Sequence, residues 1–488
     1  MKKTSFIVTA LLLAAAAGSG LAANITVSTT ADAGDGSLRA AVEKAGPEDI
    51  VIFDIPARGP GYDAASGKWA ITLTNGEIKV SRTLVVKGGG KIILDGNNTS
   101  RILSYDSSYN NNNDALTLDG LTFRNGRSAN DGGAVQMRGR VTLSGCTFTA
   151  NAAKSGGALY AVGTVTITNC IFTANAASGG GGSVNARYGR VTATSCTFAH
   201  NTADADGGAV YTDKGSITAA GCTFAGNTAN GSGGAVYTDK AFVTVESCTF
   251  SGNKAESGSG GAVWAECALT ATACAFTGNK AETSGGAAHA GEAVIENCTF
   301  TDNAAHSGGA VRTAGFAAAM NSAFSGNHTG GGFSGAIHAD RLAYLYHATV
   351  VDSVGAGVYL SVDSTKAFPR LYAYNSVIVG NGSGVQAGFG NDDGITAIPQ
   401  NSITGSSLIE GIIAGVTRAT VFGKNEPDKG VTAPRAGGRA DKAAGAIRAA
   451  GLKVPHGMKP ADVVAALRSD ISGAPRPAAG KVSYGVKE

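Results

Sequence analysis

The chain has 488 residues, a formal net charge of +3 and only 15% charged residues. No basic stripe with interleaved aromatics is evident along it, so nucleic acid is a poor candidate partner. Gly contributes 72 residues, about twice the usual share, and this argues against helical repeats because Gly is among the worst helix formers.

Residues 1–23 read as a secretory signal. Lys2 and Lys3 supply charge, Phe6 to Ala17 form a short apolar core, and Gly20-Leu21-Ala22 offers small residues for cleavage. The apolar run is too short to span a bilayer, and no other run of about 20 apolar residues follows, so no transmembrane anchor is expected. The first cysteine is Cys146, which argues against a lipoprotein anchor.

Residues 24–60 read as an N-terminal cap. Asp35 to Ala45 has the pattern of a short amphipathic helix, capped by Asp35 or Ser37 and ended by Gly46-Pro47. A helix there would cover the open end of a stacked sheet.

Residues 61–425 repeat themselves. Cys146 to Tyr160 returns as Cys196 to Tyr211, Cys222 to Tyr237 and Cys248 to Trp264. An Asn recurs in steps of 24 or 26 residues at Asn125, Asn151, Asn175, Asn201, Asn227, Asn253, Asn279, Asn303 and Asn327. Self-similarity at such a period means a stacked array. Between glycines the segments alternate, as in Val165 to Cys170 and Val243 to Cys248, which reads as short strands. Short strands joined by Gly and Asn turns describe an all-β, single-stranded parallel β-helix, one repeat per coil. Less regular strands at 71–80, 83–96 and 371–381 extend it to roughly fourteen coils, a rod on the order of 65 Å long.

The period predicts columns. Residues two apart share a strand face, so Cys and Phe of each Cys-Thr-Phe point the same way. Cys146, Cys170, Cys196, Cys222, Cys248, Cys274 and Cys298 should stack as buried small hydrophobes rather than disulfides, with Cys267 off the column. The Asn column should close each turn by hydrogen-bonding turn backbone and the next amide. Residues 426–488, with helical pieces between 437 and 468, read as a small, partly helical C-terminal appendage.

These repeats resemble those of polymorphic outer-membrane proteins and related right-handed parallel β-helix surface proteins. The shared elements are Gly-Gly-Ala-Val (207–210) and Phe224 to Asn227, repeated along the chain. Thr29 to Ala45 resembles the opening segment of exported bacterial β-helix proteins, and Asp470 to Arg476 with Tyr484 to Glu488 resembles their ending. The resemblance implies a right-handed β-helix with a surface-exposed habit. Residues 430–488 are too few for the membrane barrel of an autotransporter.

Such proteins divide mainly into polysaccharide-degrading enzymes and adhesive or structural rods. The residue after each GGAV points outward, giving the column Gln136, Tyr160, Asn185, Tyr211, Tyr237, Trp264, His289, Arg312, His338, Tyr359. Tyr160, Tyr211, Tyr237 and Trp264 are the candidate ligand-binding residues, because aromatic faces stack on sugar rings; aromatics on a sheet also pack on each other. Two residues on, Asp213, Asp239 and Glu266 could hold Ca²⁺, with Lys214 and Lys240 alongside, in outline resembling pectate lyases. The alternative is a solvated charged edge that discourages aggregation. Asp392-Asp393 reads as a turn. The expected protein is an exported adhesin-like rod, secreted or outer-membrane or cell-surface associated, with a periplasmic location as the alternative, that binds a polysaccharide or a host or cell surface. No cofactor is expected, with Ca²⁺ reserved for the alternative of a polysaccharide lyase or related enzyme. A structural envelope component is the third reading.

Overall fold

The computed structural model describes residues 22–404, apart from 57–58, 65, 106–113, 331–333, 362–369, 375, 380, 382, 388–395 and 401–402. The expected signal (but for its last two residues), the appendage at 426–488 and Asp392-Asp393 lie outside the described residues.

One coil shows the construction. Strand Val210–Asp213 carries the end of GGAV, Ile217–Ala220 follows, Thr223–Ala225 holds the Phe, and the two-residue strand Thr228–Ala229 leads into the next Gly-Gly. Each pairs in parallel with its counterpart one coil on: Val236–Asp239, Phe242–Glu246, Thr249–Ser251 and Lys254–Ala255. Repetition merges the first three into a 39-stranded sheet and the short ones into an 8-stranded sheet. The result is a parallel β-helix. The stack already includes Asn24–Val27, which pairs with Ile50–Phe53, and it continues to Ile403–Thr404.

Alternation puts one set of side chains inside. Nine phenylalanines from Phe123 to Phe324 form a fully buried column. Their rings lie 4.6 to 5.0 Å apart and within 6° of parallel. Isolated rings prefer offset or edge-on contacts; here the strand spacing of roughly 4.8 Å dictates the stack. Each buried Phe contributes about 1.5–3 kcal/mol of transfer free energy.

The Asn column forms as a hydrogen-bonded ladder. Asn201 Nδ2 donates to Phe172 O (3.0 Å) and Asn227 Oδ1 (2.9 Å), and the pattern repeats from Asn151 through Asn303, all fully buried. Asn327 ends it, accepting from Asn303 and donating to Phe300 O. Asn125 is a correction. It stands two residues after Phe123, not three, and occupies a left-handed corner with φ 53°. Its Nδ2 donates to Asp95 instead. Gly126 holds the ladder position, and its N–H donates to Asn151 Oδ1 at 2.8 Å.

All eight cysteines are free; the seven of the column are buried and Cys267 is half-buried. The column does more than fill space. Cys222 Sγ accepts the N–H of Cys196 and lies 3.3 Å from Ala220 O. Contact with neighbouring thiols, then burial, pushes the Cys170, Cys196 and Cys248 thiols well above their ordinary range.

The N-terminal helix is Leu38–Lys44. Ser37, not Asp35, is its cap, accepting from Ala40 N–H. Leu38, Ala41, Val42 and Ala45 join the core beside Val27 and Ile78. Asp32 locks this end: it pairs with Arg39 at 2.8 Å and accepts the N–H groups of Thr74 and Asn75.

Candidate functional site

Parallel pairing fixes the outward column of the GGAV face. It begins at Lys79 and Ser104, then runs Gln136, Tyr160, Asn185, Tyr211, Tyr237, Trp264, His289, Arg312, His338, Tyr359, each the register partner of the next.

The aromatic residues meet as a stack. Tyr211 and Tyr237 lie 5.3 Å apart at 2°, and Tyr237 and Trp264 lie 6.1 Å apart at 10°. His289 closes on Trp264 at 4.2 Å. The ring faces are therefore turned along the rod and cover one another; the three residues are half-buried, and the Trp264 indole N–H is itself buried. Tyr160 is 7% exposed, and burial raises its pKa against the opposing effect of Arg187. Asn185 is also buried and donates to Gly180 O. Burial, then the carboxylates of Asp213, Asp206 and Asp239, raises the Tyr211 phenol; burial, then Asp206, raises Tyr237. Both stay neutral donors at physiological pH.

Asp213 and Asp239 are register partners. Glu266 lies where the strand register shifts, between Ala265 and Ala268, and its carboxylate accepts the N–H of Lys240. Lys240 Nζ sits 3.7 Å from Asp239. Among the described residues, no three His, Cys, Asp or Glu side chains are grouped so as to hold a metal ion.

Further along, the histidines are held by serines. Ser284 Oγ lies 3.0 Å from His289 Nδ1, and His338 bridges Ser307 and Ser361, each 2.5 Å away. Burial, then Arg312, pushes His289 down to about 3 and His338 down to about 4.

A further group was not visible in sequence. The turn that follows each GGAV strand stacks on the same turn of the next coil, where Gly139, Gly163, Gly189 and Gly215 approach so closely that a Cβ on Gly189 would lie 1.7 Å from Gly163 O. Arg138, Arg140, Arg187, Arg190, Lys214 and Lys240 project from this corner, all exposed. Tyr188, 55% exposed, lies among them, with Arg187 4.9 Å and Lys214 5.6 Å from its ring centroid. These cations form an interrupted row: the coil of Val162, Gly163 and Thr164 supplies none, and Asp213 and Asp239 continue the register column of Arg138 and Arg187. It is not visible in the sequence because a coil supplies at most two cations.

A model of the right-handed β-helix region matches residues 64–224, 154–291 and 183–340. Together these matches cover more than half of the chain. The chain belongs to the right-handed β-helix family. No curated protein and no solved structure matches it. Among the described residues, no helix of this β-helix protein is long and apolar enough to cross a membrane.

At the N-terminal end of the GGAV face the β-helix has a cleft of about 320 Å³. Lys79, Ser104 and Gln136 of the outward column line it, together with Arg138 of the corner and Asn130 and Asp131 of a loop. Arg101 forms part of its wall and is fully committed, to Glu77 at 2.7 Å, Ser128, Gly132 O and Asp131 O.

Proposed function

We propose that this protein is an exported bacterial rod, surface-associated or released, that binds an extended ligand along the GGAV face in the manner of an adhesin. The ligand is a glycan or the surface of a host or other cell. One observation carries the reading: Tyr211, Tyr237 and Trp264 form a continuous stack on a solvent-facing strand row. Such a stack is ordered before any ligand arrives, so little side-chain entropy is lost on binding. It offers the half-buried rims of Tyr211 and Tyr237 rather than open ring faces, because the faces are already covered.

The decisive experiment compares retention on a glycan panel for the wild type and for a Tyr211→Ala/Tyr237→Ala/Trp264→Ala variant. Loss of retention with unchanged circular dichroism supports the reading; unchanged retention removes this site. Turnover of polysaccharides with and without Ca²⁺ separates the rod from a lyase or related enzyme. Absence of both binding and turnover leaves a structural envelope component. Cell fractionation tests export, and a solely cytoplasmic, unprocessed pool overturns it.

A further inference from the structure

We infer that the corner after the GGAV strands, with the cleft at its N-terminal end, is a track for a linear acidic polysaccharide carrying about one carboxylate or sulfate per sugar. This rests on the glycan-binding reading, and adds the charge of the ligand and a second line of contact beside the aromatic row.

The cations are exposed along one corner; Arg187 lies against the Tyr160 and Tyr188 hydroxyls, and Lys240 is beside Asp239. Among the described residues, Arg138, Arg140, Arg187, Arg190 and Lys214 form no ion pair, whereas Arg101 and Arg312 are bound to Glu77 and Asp340. From Lys79 in the cleft to Lys240 there are six coil steps, roughly 29 Å. From Arg187 and Arg190 through Lys214 to Lys240 adjoining coils all carry cations, closer than the screening length of about 8 Å at physiological salt, whereas Arg138 and Arg140 stand two coil steps from Arg187, across Val162. A row of like charges held this close attracts a polyanion more strongly than scattered charges of the same number. Tyr188 helps order the row, since Arg187 and Lys214 both lie over its ring.

The chemistry between the cations selects the polymer. Asp213 and Asp239 are half-buried beside Lys214 and Lys240, and accept hydrogen bonds from sugar hydroxyls. Single-stranded nucleic acid wants open aromatic faces for its bases, and those of Tyr211 and Tyr237 are covered by their neighbours. The cleft suits a chain end: Lys79 and Arg138 offer charge-assisted bonds to a carboxylate or sulfate, and Gln136 and Asn130 offer amides to hydroxyls.

The test is affinity electrophoresis of the full chain in gels containing polygalacturonate, dextran sulfate, neutral dextran or single-stranded DNA. Two variants are compared with wild type: Arg140→Gln/Arg190→Gln/Lys214→Gln, and the aromatic triple variant above. The first replaces only exposed side chains, and circular dichroism checks its folding. Expected is retardation by at least one acidic polysaccharide that weakens with salt and falls tenfold or more in the charge variant. Equal retardation of that variant, or none of the wild type by either acidic polymer, overturns the inference. Stronger retention by DNA also overturns it and reassigns the corner. Neutral-glycan binding that needs the aromatic row but not the cations would keep the broader reading and sink this one.

Discussion

Asn201 Oδ1 accepts two hydrogen bonds from Asn175, one from the backbone N–H at 3.1 Å and one from Nδ2 at 3.0 Å. With its own Nδ2 donating to Phe172 O and Asn227 Oδ1, the buried amide is saturated. Asn201→Ala strands groups on both flanking coils. Each buried unsatisfied group costs about 1–3 kcal/mol, so a loss of roughly 3–5 kcal/mol in local stability is expected, read as a lower urea midpoint or faster amide exchange in the flanking coils. Asn125→Ala, off the ladder, should cost less than about 1.5 kcal/mol. Equal effects at the two positions would refute the ladder.

The thiol column gives a second, sharper ordering. Cys222 Sγ accepts the N–H of Cys196, and at the column's end Ser322 Oγ accepts the N–H of Cys298 at 3.1 Å and donates to Met320 O. Cys222→Ser keeps that acceptor and should be tolerated better than Cys222→Ala, which leaves a buried N–H without a partner at a cost of about 1–3 kcal/mol. An apolar column would give the reverse order. In the native protein, a thiol reagent should titrate Cys267 alone, and all eight thiols after unfolding.

The columns were legible because a repeat in step with the coil brings like residues into register whatever the turns between them do. Cys146 to Cys298, Asn151 to Asn327 and the outward Tyr211, Tyr237 and Trp264 fall where the period puts them. The misreading at Asn125 came from matching residue type ahead of position, since Gly126 stands at the ladder site with no amide to betray it. What the period cannot say is how outward rings turn. Stacked faces and open faces share one sequence, so the mode of contact at Tyr211 and Tyr237 was not readable. Nor was the corner: Arg138 and Lys240 are 102 positions apart in sequence numbering, and only stacked turns bring their kind together. The serine partners of His338 lie 31 and 23 residues away, beyond any local motif.

Glycine substitutions should separate two kinds of constraint. A Cβ at Gly208 would stand 2.0 Å from Gly234 O, a backbone atom that cannot move without shifting the next coil. Gly208→Ala should therefore fail to fold or lose more than about 3 kcal/mol. Gly252 has φ +60° but nothing within 4 Å. Its column already includes Ala150 and Ala174 in the same conformation, so Gly252→Ala should cost only about 1 kcal/mol. Comparable thermal shifts for the two variants would contradict the close coil approach.

Acid should weaken the C-terminal half of the described stack before its carboxylates titrate. Burial holds His289 down to about 3 and His338 down to about 4 from an ordinary 6.5, with Arg312 adding repulsion and Asp340 partly opposing it. In the unfolded chain these imidazoles bind protons near pH 6.5. Depressed folded values mean that the unfolded state takes up more protons below that pH, so stability is complete above about 6.5 and is lost as pH falls toward 3–4. Urea unfolding between pH 7.5 and 4.5 should show a decline on the order of a few kcal/mol. His289→Gln/His338→Gln should flatten it while retaining hydrogen-bonding capacity toward Ser284, Ser307 and Ser361. A wild-type slope that the double variant leaves unchanged would place the acid sensitivity elsewhere, and would mean that these imidazoles are solvated rather than held neutral by burial.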